Sequence, residues 1–327
     1  MRTDGHFIIS LDFELLWGVK DLPSCNEYRC FVEGGRNAIP QILKLFDQYG
    51  VHATWATVGL MMNENKQELT ENIPLKTPDF KNKICSAYQH LAGIGESEMD
   101  DKYHYGGSLI KQILETNGQE LGTHTYSHYY CTEDGADRDS FAFDIAAAQE
   151  IMHKKYGVDC KSIVFPRNQY TDESIEVISE YGLSCYRGNP SKGYDPMRKG
   201  LSMKIQQVGR YLDSYFPLYG SITYNICERA DKVINVPASR FFRPYSGHLL
   251  MEKMKIARIK GQMLRAAKDG RMFHLWWHPH NFGRNTEHML AELEEVLVYY
   301  SELKSRYRLK SVNMGEYAEM LNAMGEK

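Results

Sequence analysis

Residues 6–13 read HFIISLDF, a short run dominated by apolar, β-branched and aromatic side chains. Such a run favours a buried strand. Residues 34–50, GGRNAIPQILKLFDQYG, then place apolar side chains at the spacing of one helix face and end at a glycine, as helices commonly do. Residues 51–59, VHATWATVG, return to a strand pattern. A strand, a helix and a second strand in this order predict one unit of a parallel sheet.

The same alternation continues along the chain. Further strand patterns lie at residues 119–125, 162–166, 184–188, 233–238 and 271–279. Helical patterns lie at residues 108–118, 139–157, 171–182, 248–270 and 285–307, and a short strand and helix follow at 309–321. This repetition predicts an α/β fold in which helices cover a parallel sheet. Periodicity alone does not decide whether that sheet closes into a barrel.

Two long segments, residues 60–107 and 189–232, interrupt this rhythm. Irregular segments of such length inside a compact fold are usually functional insertions or lids. The sequence has no stretch rich in Pro, Gly and Ser that would mark a linker. We therefore expect one domain over residues 1–327, with irregular insertions near 60–107 and 189–232.

Composition limits the functional classes that the chain can belong to. The 327 residues are 43% hydrophobic and 25% charged, and the formal net charge is −3. This charge balance, without a basic run interleaved with aromatic residues, argues against nucleic acid as a partner. The sequence has no apolar run of 18 residues, so no membrane span is expected. An oligomeric state does not follow from the sequence.

The cysteines and the N-terminus both bear on location. Seven cysteines are dispersed without a CxxC pair, a pattern typical of reduced thiols. The N-terminus enters a strand pattern directly, without the apolar core of a signal peptide. These two features predict a cytoplasmic location.

A pair of histidines follows the third strand pattern. Residues 122–128 read GTHTYSH and place His124 and His128 four residues apart. One helical turn of separation can direct two imidazoles the same way, and imidazole is the commonest metal-ligating side chain. The alternative is a pair of surface or capping histidines without a joint role.

Two acidic residues, Asp12 and Glu14, stand at the end of the first strand pattern. Alternation along a strand puts them on the same side of the chain. Carboxylates after an apolar strand are costly to desolvate unless they are paired or bind a metal. The alternative is that both are solvated residues at the start of a loop.

Two more candidates follow later strand patterns. Arg167, in SIVFPRNQY, could orient a carboxylate or bind an anion, or it could be a surface arginine. His278 is the last residue before Pro279 in HLWWHPHNFG and is a candidate general acid, because the pKa of histidine lies near neutrality. The role of His280 stays open. The carboxyl ends of parallel strands meet at one rim, so we expect these candidates to gather there.

The ordered set LDFE, HTYSH, FPR and LWWHP resembles the polysaccharide deacetylases, the chitooligosaccharide-deacetylase homology group, over residues 6–280. The resemblance implies a distorted (β/α) barrel of about seven parallel strands. It also implies hydrolytic removal of acetyl groups from N-acetylated or O-acetylated sugars with one divalent metal ion, often zinc.

The resemblance also assigns a metal site. His124 and His128 match the family's metal-binding histidines, and Glu14 matches its metal-binding acid. The family usually has two adjacent aspartates, whereas Phe13 here separates Asp12 from Glu14. Whether Asp12 or Glu14 is the third ligand therefore stays open.

The resemblance assigns three catalytic roles as well. Asp12 matches the catalytic base, Arg167 the arginine that positions the base, and His278 the general acid. Asn168 and Gln169 replace the proline and glycine that usually follow that arginine. The Asp-Trp element that tunes the family's histidine has no match in the sequence.

The sequence therefore predicts a metal-dependent hydrolase that removes acetyl groups from a sugar or saccharide precursor. A cytoplasmic location favours a nucleotide sugar, a lipid-linked saccharide or another building block as substrate. Three alternatives remain: a hydrolase of a small non-sugar amide on the same barrel, a glycoside hydrolase with two catalytic carboxylates, and a degenerate protein that only binds carbohydrate.

Overall fold

The computed structural model describes residues 4–22, 25–193, 200–226 and 232–325. Within these ranges the strands are β1 (His6–Phe13), β2 (Ala53–Thr57), β3 (Gln119–Thr123), β4 (Ser162–Ile163), β5 (Cys185–Tyr186), β6 (Tyr224–Asn225), β7 (Ile234–Asn235), β8 (Arg240–Phe241), β9 (Arg271–Trp277) and β10 (Lys310–Ser311). The α-helices are α1 (Arg29–Tyr49), α2 (Lys66–Glu71), α3 (Gly107–Glu115), α4 (Arg138–Tyr156), α5 (Asp172–Glu180), α6 (Gly200–Asp213), α7 (Leu249–Asp269), α8 (Thr286–Tyr307) and α9 (Met314–Gly325). No helix in the described ranges is both long enough and apolar enough to cross a membrane.

The parallel strands close on themselves. Pairing runs from β9 through β1, β2, β3, β4 and β5 to β7. The next strand, β8, pairs with β9, so the short segment that holds β7 and β8 joins both edges of the sheet. In this segment the Val236 N–H donates to the Tyr186 carbonyl and the Phe242 N–H donates to the Trp276 carbonyl. The fold is thus a distorted (β/α) barrel, as predicted.

Alternation along β1 separates two apolar cores. Phe7, Ile9 and Leu11 belong to the outer core under the surrounding helices, whereas Ile8 belongs to a smaller inner core. The inner core includes Tyr317 and other side chains of α9, which covers the N-terminal ends of the strands. Because side chains alternate along a strand, Ser10 and Asp12 continue the inner column above Ile8. The barrel therefore carries polar groups toward its carboxyl end.

Strand β9 repeats this division. Phe273, Leu275 and Trp277 lie in the outer core, and Met272 lies in the inner one. The inner position at His274 is fully buried. Its Nδ1 lies 3.1 Å from the Val236 carbonyl oxygen, and its Nε2 lies 2.8 Å from Ser10 Oγ. His274 is therefore a packed core residue. The inward-facing residues that follow it along β9 lie nearer the carboxyl end of the barrel, where the polar groups are.

The two predicted insertions differ in structure. Residues 60–107 contain α2 and several short 3-10 turns, and their first residues pack beside the histidine segment: the Leu60 N–H donates to the Tyr126 carbonyl. Residues 189–232 contain α6, a helix that the sequence analysis did not predict. Parts of this second segment, 194–199 and 227–231, lie outside the described residues. Assignment of the whole chain to one domain stays a prediction.

Candidate metal centre

Three buried side chains converge above the inner column of the barrel. The Glu14 Oε2 lies 3.3 Å from His124 Nε2 and 3.1 Å from His128 Nε2. One ligand atom from each of the three residues lies within 4.8 Å of the other two. Two imidazole nitrogens and one carboxylate oxygen form the donor set of many zinc sites that keep a position open for substrate or water. This donor set fits a divalent cation such as zinc.

A glycine makes room for the acidic member of this set. Glu14 follows β1, and a 3-10 helix begins directly after it at Leu15. A Cβ atom at Gly18 would lie 2.0 Å from the carboxyl carbon of Glu14. Any larger residue at this position would therefore displace the carboxylate from the histidines.

The histidine segment is held in an uncommon backbone conformation. Thr125 and His128 have φ angles of 64° and 55°, values that non-glycine residues adopt only when the surroundings compensate. The buried carboxylate of Asp144, on α4, supplies this support. It accepts hydrogen bonds from the backbone N–H of Tyr126 at 2.6 Å and of Ser127 at 3.1 Å. Asp144 thus fixes the turn between the two imidazoles.

The far nitrogens of the imidazoles are also occupied. His124 Nδ1 donates to the Val164 carbonyl at 2.7 Å, which leaves the Nε2 lone pair directed at Glu14. The Nζ atom of the buried Lys20 lies 3.3 Å from His128 Nδ1 and donates to the His128 carbonyl at 3.2 Å. Burial, together with Lys20, lowers the pKa of His128 to about 3. His128 is therefore neutral near pH 7, as a metal ligand must be.

An arginine that the sequence analysis did not select holds Asp12. The Arg187 guanidinium binds both carboxylate oxygens of Asp12, at 2.6 and 2.7 Å. It also donates to Ser10 Oγ at 2.9 Å and to Asn168 Oδ1 at 2.8 Å, and it lies over the ring of Trp276. Burial raises the pKa of Asp12, but the charges of Arg187, His278 and His124 together outweigh burial and leave the pKa below its usual value. Asp12 is therefore an ionised, oriented carboxylate.

The structure places Arg167 away from Asp12, the base that it is expected to position, and places Arg187 there instead. Arg167 is ion-paired with Asp21, and its guanidinium lies 3.8 Å from the centre of the Tyr130 ring. The left-handed φ angle of 57° at Arg167 turns the chain after β4, and its side chain is 37% exposed. Arg187 instead follows β5 on the same face as the buried inner residue Cys185, so its side chain continues the inner column.

His278 and His280 lie at the same end of the barrel. His278 Nε2 is 3.6 Å from Asp12 Oδ2 and 3.7 Å from Glu14 Oε1. Among the described residues no group forms a hydrogen bond with the buried Nδ1 of His278. His280 stacks against His278 with ring centres 4.8 Å apart, and its Nδ1 lies 3.9 Å from Glu14. Burial, then the His278 charge, lowers the pKa of His280 to about 4.

The structure thus brings five of the six predicted residues to one place, and it also settles which acid meets the histidines. Glu14, not Asp12, contacts the two imidazoles, whereas Asp12 binds Arg187. The five residues that converge are Asp12, Glu14, His124, His128 and His278.

Comparison with protein-family models identifies a family that this chain resembles. The model of the polysaccharide deacetylase family matches residues 27–186. This stretch contains both metal-site histidines and ends one residue before Arg187. No curated protein sequence matches the chain. The family match confirms the resemblance that the motifs indicate.

Solved structures share the fold at low sequence identity. A candidate polysaccharide deacetylase from Mycobacterium smegmatis is 14% identical, with a TM-score of 0.61 over 99% of this chain and 93% of that one. The PuuE allantoinase is 12% identical, with a TM-score of 0.57 over 98% of this chain and 91% of that one. Both are similar in fold, and at this identity neither carries information about substrate.

Proposed function

Because the model of the polysaccharide deacetylase family matches residues 27–186, we propose that the chain is a metal-dependent hydrolase that removes acetyl groups from an N-acetylated or O-acetylated sugar. The observation that carries this proposal is the contact of Glu14 with both His124 and His128, directly beside the Asp12–Arg187 pair. Surface histidines without a joint role would not share one buried carboxylate.

Glu14, His124 and His128 would hold the cation. When bound, a divalent ion such as zinc acts as a Lewis acid that polarises a carbonyl oxygen. The burial of all three side chains (each at most 4% exposed) keeps bulk water away from this position, which strengthens electrostatic interactions there.

Asp12 is the proposed general base. Arg187 fixes both of its oxygens and favours the ionised form, so the carboxylate can take a proton from an attacking water without first reorienting. The protonated form loses part of its attraction to Arg187, which favours later release of the proton. Arg187 is therefore proposed as the positioning residue, in place of Arg167.

His278 is the proposed general acid. Its Nε2 lies within 4 Å of both carboxylates, and its side chain is 24% exposed, so it can reach a leaving amine or alcohol from the open side of the site. Phe241 and Trp276 flank its ring, with centres 5.9 and 5.7 Å away. These aromatic faces provide a wall suited to a sugar ring.

Acetate release with and without a chelator tests this function. We expect acetate from N-acetylglucosamine or its oligomers, and we expect a chelator to lower the rate at least about 1,000-fold, because metal polarisation supplies several kcal/mol of transition-state stabilisation. Added zinc should restore the rate. Equal rates in metal-depleted and metal-loaded protein would contradict the proposal.

The same assay separates the alternatives. Hydrolysis of small cyclic or linear amides, without acetate release from any sugar, would indicate a non-sugar amide hydrolase. Saccharide binding without hydrolysis would indicate a degenerate carbohydrate-binding protein. Cleavage of a glycosidic bond that is insensitive to chelator would indicate a two-carboxylate glycoside hydrolase.

A further inference from the structure

A second feature of the carboxyl end of the barrel is a cavity of about 580 Å³ beside α6. Its wall is formed by one side of α6, by residues 238–243 around β8 and by residues after β4 and β5. This volume lies within the range typical of small-molecule sites. The proposed catalytic roles above make no use of the charged residues of this cavity.

The cavity adjoins the candidate metal centre through shared residues. Asn168 and Trp276 line it, and both contact the Arg187 guanidinium that holds Asp12. Phe241 lines it as well and packs against the His278 ring. A molecule that fills the cavity therefore reaches the proposed catalytic residues.

The charged residues of the lining are nearly all cationic. Five positive side chains line the cavity and Asp213 is the one acidic residue among those described there; the five are Arg167, Lys192, Arg210, Arg240 and Arg243. The Asp213 carboxylate is already bound by Arg240 at 2.8 Å and by Arg258 at 3.2 Å. Asp213 is therefore already paired with Arg240 and Arg258, and Arg167 is paired with Asp21, so neither of these two carboxylates neutralises Arg243 or Lys192.

Of these cations, Arg243 has the surroundings best suited to binding an anion. Its Nε donates to Ser214 Oγ at 2.6 Å, and its guanidinium faces the rings of Tyr211 and Phe241 at 5.0 and 5.7 Å. Within the described part of the chain no carboxylate is paired with it. Burial lowers the pKa of Arg243. A partly desolvated guanidinium is costly unless an anion binds it, and its fork of donors matches phosphate and carboxylate groups.

We propose that this cavity binds an anionic group, a phosphate or a carboxylate, carried by the acetylated saccharide. The substrate class is then an acidic sugar, such as a sugar phosphate, a nucleotide sugar or a sugar acid, with its acetyl group at the metal centre and its negative charge at Arg243. This proposal rests on the proposed function for the identity of the sugar, whereas the anion site rests on the cavity alone.

Equilibrium binding tests the site without requiring turnover. Titration calorimetry would compare neutral N-acetylglucosamine with N-acetylglucosamine 1-phosphate, UDP-N-acetylglucosamine and N-acetylneuraminic acid. We expect the preferred anionic ligand to bind at least about tenfold more tightly than the neutral sugar, since hydrogen bonds to charged groups are among the strong ones. The phosphate and carboxylate ligands distinguish the two sources of charge. Equal affinity for all four ligands would overturn the proposal.

Two variants and a control locate the binding. Arg243→Gln should lower the ratio of anionic to neutral affinity about tenfold, and Lys192→Gln should lower it to a smaller extent. Lys192 is exposed, so its replacement leaves the packing intact even if Arg243→Gln perturbs it. Arg265→Gln, which removes an exposed arginine paired with Asp269 on α7, should leave the ratio unchanged. An unchanged ratio in both cavity variants would contradict the assignment.

The outcomes of the two proposals can be told apart. If anionic ligands bind and Arg243→Gln weakens them, but no substrate releases acetate, the anion site stands and the proposed function fails. If neutral and anionic sugars bind equally and both release acetate in a metal-dependent reaction, the proposed function stands and the anion site fails.

Discussion

His124→Ala is expected to remove the bound cation and to lower kcat/KM for acetate release at least about 1,000-fold. His124 supplies one of three buried donor atoms, and its tautomer is fixed by the hydrogen bond from Nδ1 to the Val164 carbonyl. Alanine leaves two donors, too few to hold the cation at the concentration of an assay. Elemental analysis of the purified variant and a continuous acetate assay measure the two effects.

His52→Ala is the matched control for this variant. His52 lies beside β2 and pairs with Glu316 on α9, 2.8 Å away, near the opposite end of the barrel from the metal centre. We expect the control to keep both metal and activity. An unaltered metal content and rate in His124→Ala, with the control behaving as expected, would refute the assigned metal centre.

Asp12→Asn should separate catalysis from metal binding. The asparagine cannot accept the proton that the carboxylate takes, so we expect kcat to fall about 100- to 10,000-fold, the usual range for loss of a general base. The cation should remain bound, because Glu14 and not Asp12 contacts the histidines. Glu14→Gln should show the opposite pattern in the metal assay, with loss of the cation.

The buried partner of Asp12 requires a further variant. Arg187 is fully buried, and a buried charge without its partner destabilises a protein by about 3–5 kcal/mol. The double variant Asp12→Asn/Arg187→Met removes both charges and should recover part of this loss in thermal unfolding while staying inactive. If Asp12→Asn lost the metal and Glu14→Gln retained it, the roles given to the two acids would have to be exchanged.

Much of the barrel could be predicted from local patterns. The run at residues 6–13 coincides with β1, and the strand pattern at residues 271–279 contains β9. These predictions succeed because successive side chains of a strand point to opposite faces of the sheet, and the local sequence shows this alternation directly. Closure of the sheet depends on the pairing of β7 and β8 with two distant strands, which no local pattern encodes.

The site was predicted in part for the same reason. Asp12, Glu14 and His278 stand at strand ends, where topology alone brings them together. Arg187 was missed although it lies in the predicted strand at 184–188, two residues after the inward-facing Cys185. The alternation of β5 indicates that Arg187 points into the barrel. The positioning role was given to Arg167 because it is the arginine of the FPR motif.

Two supporting elements were missed for different reasons. Asp144 lies on the apolar face of α4, between the buried Phe141 and Ala148, and an acid at such a position signals a specific buried partner. Helix α6 has apolar residues at helical spacing, but its Leu201 and Ile205 are 75% and 61% exposed. That spacing is a signal for the helix, but it does not tell which of its apolar residues pack on the barrel and which stay exposed.

The most direct test of the central claim is anomalous diffraction from crystals of the unaltered protein grown with zinc, recorded on both sides of the zinc absorption edge. The account predicts one strong anomalous peak in contact with the Glu14 carboxylate and with Nε2 of His124 and His128. Absence of a peak at this position in crystals that bind zinc elsewhere would contradict it.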